Sequence, residues 1–169
     1  MDRSITCSFT GRRPQNLPWG WNENDPRCRA LKERLAGQLE MLYYGGYRHF
    51  ICGMALGCDM FFGEAVLALR QRFSDVSLEA AIPCGDQPDR WSREQRLRYN
   101  RLLDHADKVT VLQIHYSSDC MMRRNRYMVD HSSVMLACTD WKPGGTLSTI
   151  RYAERCGVTV IPLALTEST

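Results

Sequence analysis

Apolar residues along this chain follow two alternating rhythms. Short continuous runs of aliphatic and β-branched residues predict buried strands, and the stretches between them, apolar at every third or fourth position, predict amphipathic helices. Residues 4–9, "SITCSF", predict a first strand ending at Thr10-Gly11. A polar loop rich in Pro, Asn and Trp follows. Asp25-Pro26 then supplies an N-cap and a first-turn proline, and Leu31, Leu35, Leu39 and Leu42 mark one helix face before Gly45-Gly46 stops it.

The alternation continues to the end of the chain. Further strands are predicted over residues 49–54, 76–83, 108–114, 133–139 and 158–163. Between them lie a helix from Asp59 with Phe62, Val66 and Leu69 inward, and a basic amphipathic helix from Trp91 to Leu103. A third is capped among Ser117, Ser118 and Asp119, and a turn-plus-helix over 142–157 is closed by Gly157. This order predicts one α/β Rossmann-like domain over residues 1–169, a mainly parallel sheet with helices on both faces. Ligands of such sheets bind beyond the carboxyl ends of the strands.

The segments after the strands hold the unusual residues. In "TGRRP", Gly11 allows a tight turn, and Arg12 and Arg13 offer planar donors to an anion. In "GMALGCD", Gly53 and Gly57 bracket a turn and Asp59 sits at the positive end of the next helix. Such a turn either cradles a phosphate or packs a strand tightly on a helix. It lacks the Lys-Ser/Thr of a magnesium-triphosphate loop. In "PCGDQPDRW", Gln87 and Asp89 fall near the sheet's mouth, and Trp91 either stacks on a base or anchors its helix.

Further along, Arg124, Met128 and His131 share one helical stripe, with Asn125 adjacent. An arginine near a helix start opposes the macrodipole, which points to an anionic ligand or a carboxylate partner. Asp130 and His131 make an acid–base pair with no nucleophile nearby in sequence. The strongest local signal is "KPGGTLST". Gly144 and Gly145 lead into a helix whose first turn carries Thr146, Ser148 and Thr149, and free N–H groups with hydroxyls suit phosphate oxygens.

Composition changes this picture little. A chain of 169 residues, 44% hydrophobic and 24% charged, suits one well-filled soluble core. The formal net charge of +3 permits anionic ligands without marking a nucleic-acid binder. No stretch reads as a membrane span, and "MDRSITCSFTGRR" lacks the pattern of a secretory signal. Of eight cysteines none forms a CxxC pair, and Cys7, Cys52 and Cys138 lie inside apolar strand-like runs. They read as free, buried thiols of a cytoplasmic protein, with neither a disulfide framework nor a zinc site. No metal or cofactor is expected.

Taken together, "TGRRP", "GMALGCD", "PCGDQPDRW", "RRNRYMVDHS" and "GGTLST" resemble, in order and spacing over nearly the whole chain, the YpsA-like branch of the SLOG superfamily. That superfamily joins the DNA-processing protein DprA with the LOG phosphoribohydrolases. "GMALGCD" is similar to the DprA glycine turn, and "GGT" to the end of the LOG glycine motif. The resemblance implies a Rossmann-like sheet with a nucleotide-type pocket built from Gly11, Gly53, Gly57, Asp59, Arg124, Asn125, Gly144, Gly145 and Thr146, and it suggests a homodimer. Arg124 falls where LOG enzymes carry their catalytic arginine, whereas Thr149 stands at the position of their catalytic glutamate. A hydroxyl cannot take over a carboxylate's role at an oxocarbenium-like centre. The leading expectation is therefore binding of a nucleotide or nucleotide-derived molecule by a sensor or regulatory protein. The first rival is N-glycosidic hydrolysis of a nucleotide using Asp59, Glu64 or Asp130. The second is single-stranded DNA binding through Arg90, Arg93, Arg96, Arg98 and Arg101.

Overall fold

The computed structural model describes residues 2–167. Its strands are β1 (Thr6–Gly11), β2 (His49–Cys52), β3 (Ser77–Ile82), β4 (Lys108–Val111), β5 (Val134–Thr139) and β6 (Thr159–Ala164). Its α-helices are α1 (Pro26–Tyr44), α2 (Cys58–Arg72), α3 (Arg93–His105), α4 (Cys120–Asp130) and α5 (Gly145–Arg155). The strands form one sheet in the order β4-β3-β2-β1-β5-β6, and every pairing is parallel. This is the Rossmann-like α/β architecture that the alternation of rhythms predicts.

Strand periodicity divides the core in two. On one face Cys7, Phe9, Phe50, Cys52, Leu78, Leu136 and Cys138 join the leucines of α1, Phe62 and Val66 of α2, and Tyr99 and Leu102 of α3. Phe9 stacks on Phe62 with centroids 4.5 Å apart. The intervening residues Ile51, Ala81 and Met135 face the other way, against Met128 and Val129 of α4 and Ala153 of α5. That second face also encloses a polar cluster. Glu79 lies 2.7 Å from His49 Nε2 and accepts from Thr110 (2.9 Å) and from the Tyr127 hydroxyl (2.5 Å). Burial pushes the Glu79 carboxyl up, yet these hydrogen bonds win and bring it down to about 2.

Several boundaries differ from those expected. Residues Arg3–Ile5 form a 3-10 turn capped by Asp2, so β1 begins later. It extends through Thr10 and Gly11, which pair with Ala137 and Cys138. Strand β2 stops at Cys52 because Met54 adopts a positive φ of 63°. Strand β4 ends at Val111, short of the predicted 114. Helix α3 starts after Trp91, since Ser92 and Gln95 form a reciprocal capping box. All eight cysteines are free, but Cys156, just past α5, is exposed rather than buried as expected. Among the described residues no helix is long and apolar enough to cross a membrane.

From β1 the chain builds outward to β4 and then crosses to β5 on the other side of β1. The connection after β1 leads to α1 on one face and that after β5 to α5 on the other, so their exits diverge and open a crevice.

Candidate functional site

That crevice is a cleft of about 150 Å³ at the carboxyl ends of the strands. Gly11, Arg12, Arg13 and Asn16 line it from the β1 side, and Ala55 and Asp59 from the β2–α2 turn. Helix α4 contributes Met121, Arg124, Asn125 and Met128, and the start of α5 contributes Gly145 and Thr146. Segments that follow β1, β2, β4 and β5 thus meet at one place.

The glycines divide into two kinds. A Cβ on Gly11 would stand 2.5 Å from the Cβ of Cys58, so this glycine seats the start of α2 against β1. A Cβ on Gly57, where φ is +89°, would stand 2.7 Å from the Arg12 carbonyl oxygen. On Gly53 it would meet Arg124 Nη1 at 2.7 Å and Asp59 Oδ2 at 3.0 Å, and on Gly144 it would meet Arg12 Nη1 at 2.8 Å. These four positions are filled by the protein's own atoms. Gly145 is different: a Cβ there would meet nothing within 4 Å among the described residues.

The arginines divide in the same way. Arg12 is buried and bound to Asp140, with Nε and Nη2 at 3.1 and 2.7 Å from one carboxylate oxygen, and it also donates to the Lys142 carbonyl. It braces the β5–α5 loop. Arg124 is buried too, donating to the Gly53 carbonyl and to Asn125 Oδ1. Burial pushes its guanidinium down, against the opposing charge of Asp59. Asp59 turns back to accept from the Ala55 N–H at 3.0 Å, and burial pushes its carboxyl up despite Arg124. Arg13 is exposed at the cleft and makes no ion pair or side-chain hydrogen bond among the described residues. Within that set it is the cleft's free cation.

Two helix starts face this region, and they differ. The first N–H of α2, at Cys58, donates to the Arg12 carbonyl at 3.1 Å, which closes that end. The start of α5 has no side-chain cap, and among the described residues the N–H groups of Gly145 and Thr146 find no backbone acceptor. The hydroxyl of Thr149 does not serve as a cap; it donates to the Gly145 carbonyl at 2.8 Å. Thr146 lines the cleft. Open amides at a helix N-terminus beside a free guanidinium attract an anion.

Other predicted residues lie elsewhere. Gln87 donates to the Met54 carbonyl and supports the β2–α2 turn from behind. Asp89 lies near it, and Trp91 packs edge-on against Tyr99, anchoring α3. Glu64 and Glu23 both hold Arg98, at 2.6 Å each, on the α1–α3 face. Asp130 accepts from Tyr152 and His131 Nδ1 lies 2.7 Å from the Tyr127 carbonyl, both at the far end of α4. Asp59 is the only carboxylate lining the cleft among the described residues. Sequence reasoning offered Arg12 and Arg13 alike and missed Asn16 and Met121, which also line the cleft. A doubled arginine after a strand signals cations at the site, but not which of the two is free.

A family model described as "YspA SLOG family" (YpsA) matches residues 7–154. The uncharacterized SPbeta prophage-derived protein YoqJ of Bacillus subtilis is 28% identical over 144 residues, covering 78% of this chain and 84% of that one. A UPF0398 protein of Bacillus anthracis is 27% identical over 155 residues, covering 89% and 83%. Among solved structures, DprA of Streptococcus pneumoniae superposes with a TM-score of 0.63 at 15% identity, over 94% of this chain and 50% of that chain. DprA of Helicobacter pylori, described as binding single-stranded DNA, superposes with a TM-score of 0.65 at 15% identity, over 95% of this chain and 65% of that chain. With four of its motif segments following β1, β2, β3 and β5 and the fifth carried on α4, the chain belongs to the YpsA family of SLOG proteins.

Proposed function

We propose that this protein binds the phosphate-bearing part of a nucleotide or nucleotide-derived molecule in the cleft between β1 and β5. The observation that carries this reading is the uncapped start of α5, where Gly145 and Thr146 share the cleft with Arg13, unpaired among the described residues. Backbone N–H groups hold the anion, Arg13 closes over it, and Asn16 and Asn125 orient what is attached. Arg12 and Arg124 act indirectly, by fixing the two loops that form the walls.

The role is that of a sensor or regulatory protein. Thr149 has its hydroxyl committed to the Gly145 carbonyl, and no carboxylate stands at that position. Hydrolysis of an N-glycosidic bond would rest on Asp59, whose raised proton affinity is the one feature that favours it. Glu64 and Asp130 lie outside the cleft. Single-stranded DNA would run along α3, where Arg98 is already neutralised by Glu23 and Glu64.

Calorimetry with orthophosphate, ribose 5-phosphate and a panel of nucleoside monophosphates tests the reading. Binding that disappears in Arg13→Ala, with no free base released, supports it. Absence of binding at millimolar concentration overturns it. Release of base, lost in Asp59→Asn, establishes the hydrolase, and salt-sensitive DNA binding lost with Arg93 and Arg101 establishes the third reading.

A further inference from the structure

At the opposite end of the sheet from the cleft, three polar side chains form a line. His49 and Ser77 are the first residues of β2 and β3 and sit side by side in the parallel register. Glu79, two residues on from Ser77, points to the same face. Ser77 Oγ lies 2.7 Å from His49 Nδ1, and His49 Nε2 lies 2.7 Å from Glu79 Oε1. The side chains of His49 and Glu79 are only 1% and 2% exposed, whereas Ser77 is partly open to solvent. None of the three lines the cleft.

The carboxylate decides which ring nitrogen carries the proton. Burial pushes the Glu79 carboxyl up, but hydrogen bonds from His49, Tyr127 and Thr110 bring it down to about 2, so it is ionised at neutral pH. An ionised carboxylate only accepts, so Nε2 bears the proton and Nδ1 of the neutral ring keeps a lone pair. That lone pair accepts the Ser77 hydroxyl, whose only side-chain partner among the described residues is this imidazole. Ser132, at the same end of the sheet, instead donates to the Met128 carbonyl at 2.8 Å.

We propose that Ser77 is a nucleophile that accepts an acyl group from an activated ester, with His49 as its general base and Glu79 positioning the ring. A hydroxyl on an imidazole whose far nitrogen is held by a carboxylate activates serine for acyl transfer, and the arrangement is recognised by these roles rather than by sequence position. The Ser77 N–H is committed to the Arg48 carbonyl at 2.8 Å, so it offers no hydrogen bond to a developing oxyanion. This selects esters with a good leaving group over amides. The Oγ–C bond forms as the Ser77 proton passes to Nδ1, and the bond from the carbonyl carbon to the leaving oxygen breaks. Nδ1 then returns the proton to the departing alcohol or phenol, which leaves acyl-Ser77.

The test is acetylation by p-nitrophenyl acetate. Peptide mass spectrometry reads ester formation at Ser77 against Ser74, an exposed serine slightly earlier in the chain, and hydroxylamine lability separates esters from acetylated amines. Ser77 is expected to react about 100-fold faster than Ser74, the scale of general base catalysis, and His49→Gln should lower that ratio by about as much. Because Ser74 reports exposure in the same molecule, a loss of stability alone does not move the ratio, and circular dichroism confirms that each variant is folded. Glu79→Gln should lower the ratio too, and an unchanged value removes Glu79 from its positioning role. A ratio near one in the wild type overturns the proposal, as does a ratio that His49→Gln leaves unchanged. If His49→Gln does not fold, the wild type in urea takes its place: the ratio should collapse as the three residues separate, and a ratio that persists overturns the proposal.

Discussion

Arg124 and Gly53 hold each other in place. The guanidinium donates to the Gly53 carbonyl, and a Cβ on Gly53 would stand 2.7 Å from the same Nη1 atom. The glycine is there because a buried arginine from α4 lies over the end of β2. Gly53→Ala should therefore lower stability by about 1–3 kcal/mol, as overpacking does. Gly37→Ala, in the exposed middle of α1 where a Cβ meets nothing, should raise it by about 0.5–1 kcal/mol. Urea denaturation of both variants checks the contrast.

The two consecutive arginines after β1 should separate cleanly. Arg12→Ala removes the hydrogen bonds to Asp140 and Lys142, and is expected to cost about 1–3 kcal/mol of stability. Arg13→Ala should leave the melting temperature near wild type and abolish phosphate binding. Melting curves with and without phosphate read both effects. The reverse pattern would assign the anion to Arg12.

The proposed anion binding should depend on pH through Asp59. Burial raises its carboxyl above the ordinary 3.8, so it takes up a proton earlier than usual as the pH falls. Protonation removes a negative charge from the cleft, and anion binding tightens. Sulfate is the probe of choice, since its own charge is constant. Its affinity should rise as the pH falls in the wild type, and Asp59→Asn should flatten the profile.

The Glu79 cluster predicts an acid-sensitive core. Its carboxyl is brought from an ordinary 4.5 down to about 2, so its contribution is complete above 4.5 and is lost as the pH falls toward 2. That contribution is on the order of 3 kcal/mol. Denaturant titrations between pH 6 and pH 2 should show the decline, and Glu79→Gln should lower stability at neutral pH and remove most of the slope.

Trp141, in the β5–α5 loop, holds a positive φ of 62° while its side chain is 54% exposed. A large residue in that conformation costs about 1 kcal/mol, and little packing offsets it. Trp141→Gly should raise the unfolding free energy by about that amount. A loss of stability would show that the indole packs more than its exposure implies.

Much of the fold was legible because it depends on local pattern. The leucine stripe of α1, the Asp25-Pro26 cap and the alternation of short apolar runs with helical periods each act over a few residues. The convergence of "TGRRP", "RRN" and "GGT" followed from one general rule about parallel sheets. Met54 was not legible, because its positive φ is imposed by a tertiary turn and carries no glycine to announce it. The strand order was not legible either, since each pairing joins residues far apart in the chain.

What the sequence determined by itself is the list of elements and the set of polar residues delivered to the strand ends, since hydrophobic period and turn chemistry are local. What only the tertiary structure decided is how those residues divide the work. Gly53 and Gly57 prove to be packing positions covered by Arg124 and the Arg12 backbone, while Gly145 stays open. Arg12 is neutralised by Asp140, and Arg13, its neighbour, is left free among the described residues. Charge pairing and close approach depend on distances between segments that lie far apart in the chain, and no local pattern contains them.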